Sequence, residues 1–234
     1  MMQSDWTVIF DLDGTLIPHT SAEKTLFIYL LKKRQLSIID ILQLIPAIWT
    51  TRGNIHEMTL TNKRYLKNKS VSVFKEIARR YFEPRIEMLV FPLMHRIINM
   101  HKKNGDRLLL LTGTLDFIAE CFVHILAFDG YRATELEIKD NRYTGRIVGI
   151  QPFGLGKLEV LRDFKNEFHF DRDKTILYAN IFSDRYVMNA VEKPIAVNPD
   201  KRLLRYAIRS KWKVINPYSK RVTIIKQGNS SYIK

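Results

Sequence analysis

The stretch Trp6–Leu16, WTVIFDLDGTL, decides the fold of this chain. Its first half, Trp6–Phe10, is apolar and β-branched, and it ends directly on two aspartates, Asp11 and Asp13. Because residues two apart on an extended strand point to the same side, both carboxylates can face one pocket. One could then act as a nucleophile and the other as a general acid and base. Gly14 permits the sharp turn that must follow the strand.

The D-x-D-G-T pattern is not specific to catalysis. It also occurs in calcium-binding loops and in capped turns, so a lone D-x-D-G is weak evidence for an enzyme. Here the pattern directly follows a hydrophobic strand. That position favours the catalytic interpretation.

Strands and helices alternate along the rest of the chain. Four further strands are predicted, at Arg107–Thr112, Lys174–Ala179, Pro194–Val197 and Lys211–Ile215. Helices are predicted at about Leu115–Phe128 and from Gly154 to Phe164. A hairpin is predicted around Asp140 and Asn141. Between the first two strands, Ala22–Lys103 shows helical spacing of apolar residues and almost no strand. Strands that alternate with helices indicate a parallel sheet. The sequence therefore predicts an α/β protein with a helical insert after the first strand.

Composition points to a soluble globular protein. The chain has 234 residues, of which 46% are hydrophobic and 26% are charged. A single cysteine, Cys121, excludes an internal disulfide and fits a reducing interior such as the cytoplasm. Met1–Thr7 lacks the basic start and long apolar run of a signal peptide, so we expect a cytoplasmic location.

Positive charge is concentrated at the end of the chain. The net charge is +14, and the segment Lys201–Lys234 contains ten Lys or Arg and no Asp or Glu. Such a surface favours phosphorylated substrates, anionic lipid or nucleic acid, although it can also be a solvated basic face. Because no nucleic-acid-binding motif is present, nucleic acid is an unlikely partner. The last residues, Gln227–Lys234, are predicted to be frayed.

Leu36–Trp49 is the most membrane-like segment of the chain. It is too short to span a bilayer, and it contains Asp40 and Pro46. It follows the basic run Lys32–Arg34, so it could lie on an anionic membrane surface. A buried amphipathic helix is the favoured interpretation.

Polar residues follow each predicted strand where a parallel sheet binds its ligands. The candidates are Asp11 and Asp13 after the first strand, Thr112 and Gly113 after the second, Lys157 at a helix start, and Asn180 and Asp184 after the strand at 174–179. Together they offer carboxylates, a hydroxyl, backbone N–H groups and a cation, which suit a phosphate held beside a divalent cation. Alone, Thr112 could be a turn residue and Lys157 a solvated lysine. The six scattered histidines are taken as surface or satisfied core residues: His19, His56, His95, His101, His124 and His169.

These motifs resemble the haloacid dehalogenase-like hydrolase superfamily, in its phosphoserine-phosphatase-like branch, subfamily IB. The resemblance runs over nearly the whole chain, through FDLDGTL, LLLLTGTLDFIAE, ATELEIKDNRYTGRI, GLGKLEVLRDF and AVEKPIAVNPDKRLLRYAIRSKWKVI. It implies a Rossmann-like catalytic core made of residues 1–21 and 104–234. It also implies a helical cap made of residues 22–103, which would set substrate specificity.

The resemblance assigns catalytic roles. Asp11 would attack phosphorus and form an aspartyl-phosphate, and Asp13 would protonate the leaving oxygen and then activate water. Thr112 and the backbone N–H of Gly113 would bind the phosphoryl oxygens. Lys157 would neutralise charge on the phosphoryl group and the nucleophile. The activity implied is that of a phosphatase acting on a small phosphate ester.

The resemblance also implies a Mg²⁺ site with one unusual residue. Asp11, the backbone carbonyl of Asp13, residue 180 and Asp184 would hold the ion. The branch usually has aspartate at the position of Asn180, which offers one carbonyl oxygen but no charge. We expect weaker metal binding and slower turnover. A catalytically inactive phosphate-binding protein is the alternative.

The substrate is not identified by these motifs. Phosphoserine phosphatases carry an amine-binding glutamate nine residues after the nucleophile, where this chain has Thr20, and Glu23 lies one helical turn further on. Phosphoserine is therefore a doubtful substrate. The apolar segment and the basic tail add a third hypothesis, a lipid-phosphate phosphatase at a membrane surface.

Overall fold

A computed structural model describes residues 6–18, 21–42, 63–218, 222–226 and 229–233. Of the last two ranges it describes the backbone only. Thr20 and residues 43–62, which include the second half of the apolar segment, lie outside the described residues.

Within the described part of the chain, seven strands form one sheet in the order β4-β3-β2-β1-β5-β6-β7. The strands are β1 Thr7–Phe10, β2 Arg107–Leu115, β3 Gly130–Lys139, β4 Arg142–Val148, β5 Thr175–Ala179, β6 Lys193–Val197 and β7 Lys213–Ile215. Neighbouring strands run parallel, except that β3 and β4 form an antiparallel hairpin. The predicted α/β fold with a parallel sheet is confirmed, and β1 lies at the centre of the sheet.

Helices fill both sides of this sheet. Between β1 and β2, the described helices are α1 Ala22–Lys32, α2 Ile38–Leu42, α3 Val71–Phe82, α4 Ile86–Leu89 and α5 Pro92–Asn104. The later helices are α6 Asp116–Leu126, α7 Leu155–Phe168, α8 Arg185–Met188 and α9 Lys201–Arg209. Short 3₁₀ turns lie at Arg64–Leu66, Glu83–Arg85, Arg172–Lys174 and Phe182–Asp184. The division into a core and a cap at residues 22–103 stays a prediction.

Two apolar cores, one on each face of the sheet, account for the continuous apolar run of β1. Val8 and Phe10 face a core shared with α1, α3, α5 and α6, whereas Ile9 faces a core shared with α7, α8 and α9. All three side chains are fully buried. Phe10 stacks on Tyr178 of β5 with ring centroids 4.7 Å apart. A strand covered on both faces by helices is apolar at nearly every position.

The apolar segment differs from its favoured interpretation. In α2, the side chains of Ile38 and Leu42 are 76% and 52% exposed, whereas Asp40 is buried. The buried-helix prediction is therefore wrong for α2, although Leu36 just before it is buried. The physical reason is a hydrogen bond between charged groups, in which Lys69 Nζ donates to the Asp40 carboxylate at 2.6 Å. Because this bond holds Asp40 on the inner side of α2, the isoleucines lie on the outer side. Among the described helices, none has the length and apolar character needed to cross a bilayer.

The end of the chain also differs from the prediction. Asn229–Ile233 forms strand β9, which pairs antiparallel with β8, Val222–Lys226. The prediction of a frayed tail is therefore wrong for these residues, while 227, 228 and 234 lie outside the description. The β-branched sequence VTIIK of β8 favours an extended backbone and provides the template for pairing.

Four histidines lie within the described residues, and all agree with their prediction as surface or satisfied core groups. His101 is buried, and its Nδ1 and Nε2 contact the Asp106 carboxylate at 2.6 Å and the Tyr178 hydroxyl at 3.0 Å. His124 and His169 are exposed, and His95 contacts the backbone carbonyl of Glu87 at 3.0 Å. His19 and His56 lie outside the description.

Two of the buried tyrosines, Tyr178 and Tyr143, provide a test of these packing arrangements. A carboxylate only accepts hydrogen bonds, so His101 Nδ1 donates to Asp106, while His101 Nε2 forms a hydrogen bond with the Tyr178 hydroxyl. Tyr178→Phe leaves this buried ring nitrogen unpaired, and we expect it to lower the free energy of unfolding by about 1–3 kcal/mol. The hydroxyl of Tyr143 has no hydrogen-bond partner among the described residues, so Tyr143→Phe should leave stability unchanged or slightly raised. Urea unfolding followed by circular dichroism measures both, and equal losses would contradict the assignment.

Candidate active site

A cleft of about 610 Å³ opens where β1, β2 and β5 end. It is lined by all seven residues that the sequence nominated: Asp11, Asp13, Thr112, Gly113, Lys157, Asn180 and Asp184. The cleft also includes residues that the sequence did not single out as site residues, among them Glu23, Thr114, Phe182, Asp200 and Arg202. The parallel sheet brings these segments together because the carboxyl ends of its strands meet at one edge.

The turn after β1 sets the position of the first aspartate. The backbone N–H of Asp11 donates to the carbonyl of Tyr178 at 2.9 Å, which continues the pairing of β1 with β5. Gly14 then adopts φ +80°, as the predicted turn requires. The buried Thr15 hydroxyl lies 3.4 Å from Asp11 Oδ2 and 3.5 Å from Asn180 Oδ1, between the two predicted metal ligands.

Asp13 is held by the start of the helical insert. The backbone N–H of Ala22 donates to Asp13 Oδ1 at 2.7 Å, and the Thr114 hydroxyl donates to Oδ2 at 3.3 Å. Burial raises the pKa of Asp13 to about 7, against the opposing hydrogen bond from Ala22, and the nearby charge of Asp11 raises it further. This carboxyl can therefore carry a proton near neutral pH, as a general acid must.

Lys157 contacts two further carboxylates of the cleft, those of Asp11 and Asp184. Its Nζ lies 2.9 Å from Asp11 Oδ1 and 3.0 Å from Asp184 Oδ1, and the side chain is buried. Burial disfavours the charged lysine, but the two carboxylates outweigh this effect and raise the pKa of Lys157 above its usual value. Burial also raises the pKa of Asp184, in opposition to the attraction of Lys157. The lysine therefore stays charged beside the nucleophile that the sequence predicts.

The second strand is longer than predicted. β2 continues past Thr112 to Leu115, with a register shift against β3 between Leu111 and Leu115. The Thr112 hydroxyl accepts from the Thr114 N–H at 3.2 Å. A side chain on Gly113 would stand 3.3 Å from the carbonyl oxygen of Pro152, so this glycine lets the loop before α7 approach closely.

The oxygen atoms of the cleft have the chemistry that Mg²⁺ requires. Among the described residues, no three His, Cys, Asp or Glu side chains converge as a metal cluster. The predicted site combines two carboxylates, Asp11 and Asp184, with the Asn180 amide oxygen and the Asp13 backbone carbonyl. Within the described structure, the buried Asp184 Oδ2 has no hydrogen-bond partner, so an acceptor is available for a cation or its waters. This all-oxygen set fits Mg²⁺.

Asp200 fixes the loop that carries Asn180, and the sequence analysis did not identify it. Its carboxylate accepts from the N–H groups of Phe182, Arg202 and Leu203 at 2.8, 2.8 and 2.7 Å. Its own N–H donates to the Asn180 carbonyl at 3.0 Å. An aspartate directly before a helix is a common N-cap, and this signal was available in the sequence. The bond to Phe182 had no such signal, because it joins separate segments.

Glu23 also lines the cleft, from the first turn of α1. Lys63 Nζ lies 2.5 Å from Glu23 Oε2, and the Tyr65 hydroxyl donates to Oε1 at 2.8 Å. Burial, together with the charge of Glu23, raises the pKa of Tyr65 well above its usual value. This buried cluster connects the start of the insert to its later part. No local pattern in the sequence could have paired residues so far apart.

Comparison with known proteins identifies the family of the chain. Residues 8–189 match the haloacid dehalogenase-like hydrolase family, and the chain belongs to that family. A histidinol-phosphatase of Neisseria meningitidis serogroup C (strain 8013) is 28% identical over 222 residues, which cover 89% of this chain and 97% of that protein. The resemblance stated from the motifs is confirmed.

Solved structures share the fold. A protein of unknown function from Bordetella pertussis Tohama I matches with a TM-score of 0.77 and 22% identity, over 91% of this chain and 98% of that chain. A phospho-aspartyl intermediate analogue of phosphoserine phosphatase matches with a TM-score of 0.59 and 16% identity, over 90% of this chain and 92% of that chain. At these identities the likeness is one of fold.

Asp200 yields a test of how the loop is held. In Asp200→Asn the amide oxygen can still accept from α9, but the NH₂ group cannot accept from Phe182. We expect faster hydrogen exchange at the Phe182 amide and little change at Leu203. Asp200→Ala should lower the free energy of unfolding by about 2 kcal/mol.

The matched control is Asp163→Ala, at an exposed position of α7. It should leave both the exchange rates and the stability nearly unchanged. Equal exchange at Phe182 in the wild type and Asp200→Asn would show that Asp200 does not hold this loop.

Proposed function

We propose that this protein is a Mg²⁺-dependent phosphomonoesterase that acts through an aspartyl-phosphate on a small phosphorylated substrate. The observation that carries the proposal is the grouping of Asp11, Asp13 and Lys157 in one cleft, with the lysine 2.9 Å from the predicted nucleophile. Phosphoryl transfer needs positioning and charge neutralisation, and this grouping supplies both.

In the first step, a carboxylate oxygen of Asp11 attacks phosphorus and the bond to the ester oxygen breaks. Asp13 gives its proton to the leaving oxygen, a role that its pKa of about 7 suits. The Thr112 hydroxyl and the Gly113 N–H bind the phosphoryl oxygens. The charge of Lys157 stabilises the negative charge in the transition state.

In the second step, water hydrolyses the aspartyl-phosphate. Asp13, now a carboxylate, removes a proton from the water as the water attacks phosphorus. Asp11 leaves as a carboxylate, and inorganic phosphate is released. When bound by Asp11, the Asp13 carbonyl, Asn180 and Asp184, Mg²⁺ would supply further neutralisation of charge on the phosphoryl oxygens.

Asn180 weakens this site without removing it. It keeps an oxygen ligand and removes one negative charge from a cleft in which Lys157 already neutralises one of the remaining carboxylates. We therefore infer slower but real turnover. The alternative is a phosphate-binding protein without catalysis, which the same charge loss at Asn180 favours.

We take the insert, residues 22–103, as the cap that sets substrate specificity, so its residues bear on the choice of substrate. Glu23 already binds Lys63 and Tyr65, so the ammonium group of phosphoserine would have to compete with Lys63. The relative from Neisseria makes histidinol phosphate the first candidate to compare. We infer that the protein works in a reducing interior such as the cytoplasm, where the buried thiol of Cys121 stays free.

A lipid phosphate is the second candidate substrate, and one observation favours it. The exposed apolar side chains of α2 follow the exposed basic run Lys32–Arg34. Apolar residues next to cations fit an anionic membrane surface. A lipid-phosphate phosphatase at such a surface would use the same cleft.

The catalytic proposal predicts Mg²⁺-dependent phosphate release that depends on Asp11. The substrates are para-nitrophenyl phosphate, histidinol phosphate, phosphoserine and phosphatidic acid in mixed micelles. Asp11→Asn should lower kcat by at least about 1,000-fold, since it removes the nucleophile. Intact-mass measurement of acid-quenched protein should detect a phosphate adduct in the wild type and none in Asp11→Asn.

The control is Asp163→Asn, which changes an exposed aspartate of α7 in the same way and should keep full activity. A wild type without activity or adduct on every substrate would favour the phosphate-binding alternative. Activity confined to the micelles would favour the lipid candidate.

Asn180→Asp should strengthen Mg²⁺ binding. The added carboxylate is a better ligand for a hard cation, so we expect the Kd for Mg²⁺ to fall roughly tenfold or more by calorimetry. Without Mg²⁺ the variant adds a negative charge beside Asp11 and Asp184, so its Tm should fall below that of the wild type. Asn166→Asp, at an exposed site on α7, is the control and should change neither quantity. An unchanged Kd in Asn180→Asp would exclude residue 180 as a metal ligand.

A further inference from the structure

The basic stripe on α9 forms a groove that the proposed mechanism does not use. Arg202, Arg205 and Arg209 recur at the spacing that places residues on one helix face, and all three are exposed. With Phe182 and Tyr206 they line a groove of about 200 Å³. We call this the α9 groove.

The α9 groove adjoins the candidate active site. Phe182 and Arg202 line both the groove and the larger cleft. The guanidinium of Arg202 lies 4.4 Å from the centre of the Phe182 ring, and that of Arg185 lies 4.1 Å from it. Because Phe182 follows the Asn180 loop, a molecule that fills the cleft can extend into the groove past this aromatic ring.

The described residues do not neutralise the cations of the groove. No acidic side chain lines the groove, and the described residues place no carboxylate within ion-pair distance of Arg202, Arg205 or Arg209. The nearest helix-capping acid, Asp200, uses its carboxylate on backbone N–H groups. Like charges at this helical spacing repel one another, so the stripe carries a cost that a bound anion would offset.

Guanidinium groups select phosphate by geometry as well as charge. Each can give two parallel N–H bonds to one phosphate. Tyr206 adds a hydroxyl at the same wall, where it accepts from the Asn189 amide at 2.9 Å and keeps its own proton for another acceptor. The groove thus offers several donors to an anion and no acidic side chain to repel it.

We propose that the α9 groove binds a second phosphate group of the substrate, distinct from the phosphate that is hydrolysed. The substrate class is then an organic bisphosphate whose two groups span the cleft and the groove, in place of a monophosphate such as histidinol phosphate. This inference rests on the proposed phosphatase function for the first phosphate. It assigns the recognition of the second to Arg202, Arg205 and Arg209.

The test compares matched substrates on the full chain. Phosphate release is measured for propyl, butyl and hexyl phosphate and for the alkanediol bisphosphates of the same lengths. The groove predicts that KM for the bisphosphate of best length is about tenfold lower than KM for its monophosphate, as a bidentate guanidinium contact would give. Arg205→Gln with Arg209→Gln should bring this KM ratio close to one.

A matched double variant separates the groove from general electrostatic attraction. Lys139→Gln with Arg162→Gln removes the same number of positive charges from exposed positions on β3 and α7. This control should keep the wild-type KM ratio. A ratio near one in the wild type would overturn the proposal, as would a ratio that the groove variant leaves unchanged.

Binding measurements keep this inference independent of catalysis. Calorimetry with the same compounds measures their Kd values even if none is hydrolysed. A bisphosphate preference that the groove variant removes would support the groove although the phosphatase proposal had failed. Equal Kd values for mono- and bisphosphates would overturn the proposal that the α9 groove binds a second phosphate.

A lipid headgroup could supply the phosphate group that binds the α9 groove. Flotation with phosphatidylcholine vesicles containing phosphatidic acid distinguishes a lipid phosphate from the second phosphate of a soluble substrate. Vesicle binding that Arg205→Gln with Arg209→Gln abolishes, without any preference for soluble bisphosphates, would overturn the assignment to a soluble substrate.

Discussion

The buried contact of Lys157 with Asp11 and Asp184 is the interaction on which the site depends. Two carboxylates enclosed in one cleft repel each other and lose their hydration, and a lysine buried without them would lose its charge. The two carboxylates keep the buried lysine charged, and the lysine opposes the rise that burial causes in the pKa of Asp184. Since β1, α7 and the loop after β5 each supply one member, the ion cluster also fixes the relative positions of these three segments.

Asn180 changes the charge of this cluster rather than its shape. With aspartate at this position, three carboxylates would share one lysine, and the site would need a cation to be stable. With asparagine, Asp11 and Asp184 are partly neutralised by Lys157, and the Thr15 hydroxyl lies between Asp11 and the amide. The metal-free site is therefore easier to maintain, and the proposed Mg²⁺ would gain less free energy by binding. A substitution that is modest in volume would thus shift the charge balance between the lysine and the proposed metal.

The sequence predicted what depends on local pattern and strand order. The apolar run before Asp11 indicated a strand, and the polar motifs behind successive strands were predicted to converge, as all seven nominated residues do in one cleft. It could not predict contacts between distant segments, such as Glu23 with Lys63 or Asp200 with Phe182, because no local pattern pairs one partner with the other. In α2 the expected burial does not occur: Ile38 and Leu42 are exposed, whereas Asp40 is buried and accepts a hydrogen bond from Lys69, a contact between distant segments. The division into a core and a cap stays a prediction. A sequence pattern indicates where helices lie, but it does not show whether they form a separate domain.

The hydrogen bond from Ala22 to Asp13 joins the first residue of α1 to the second aspartate of the first motif. The linkage is short and direct, without an intervening side chain. Any tilt of α1 away from the sheet therefore breaks a contact of the carboxyl group at the same moment. The position of α1 and the environment of the Asp13 carboxyl group are therefore coupled through one hydrogen bond to a single oxygen atom.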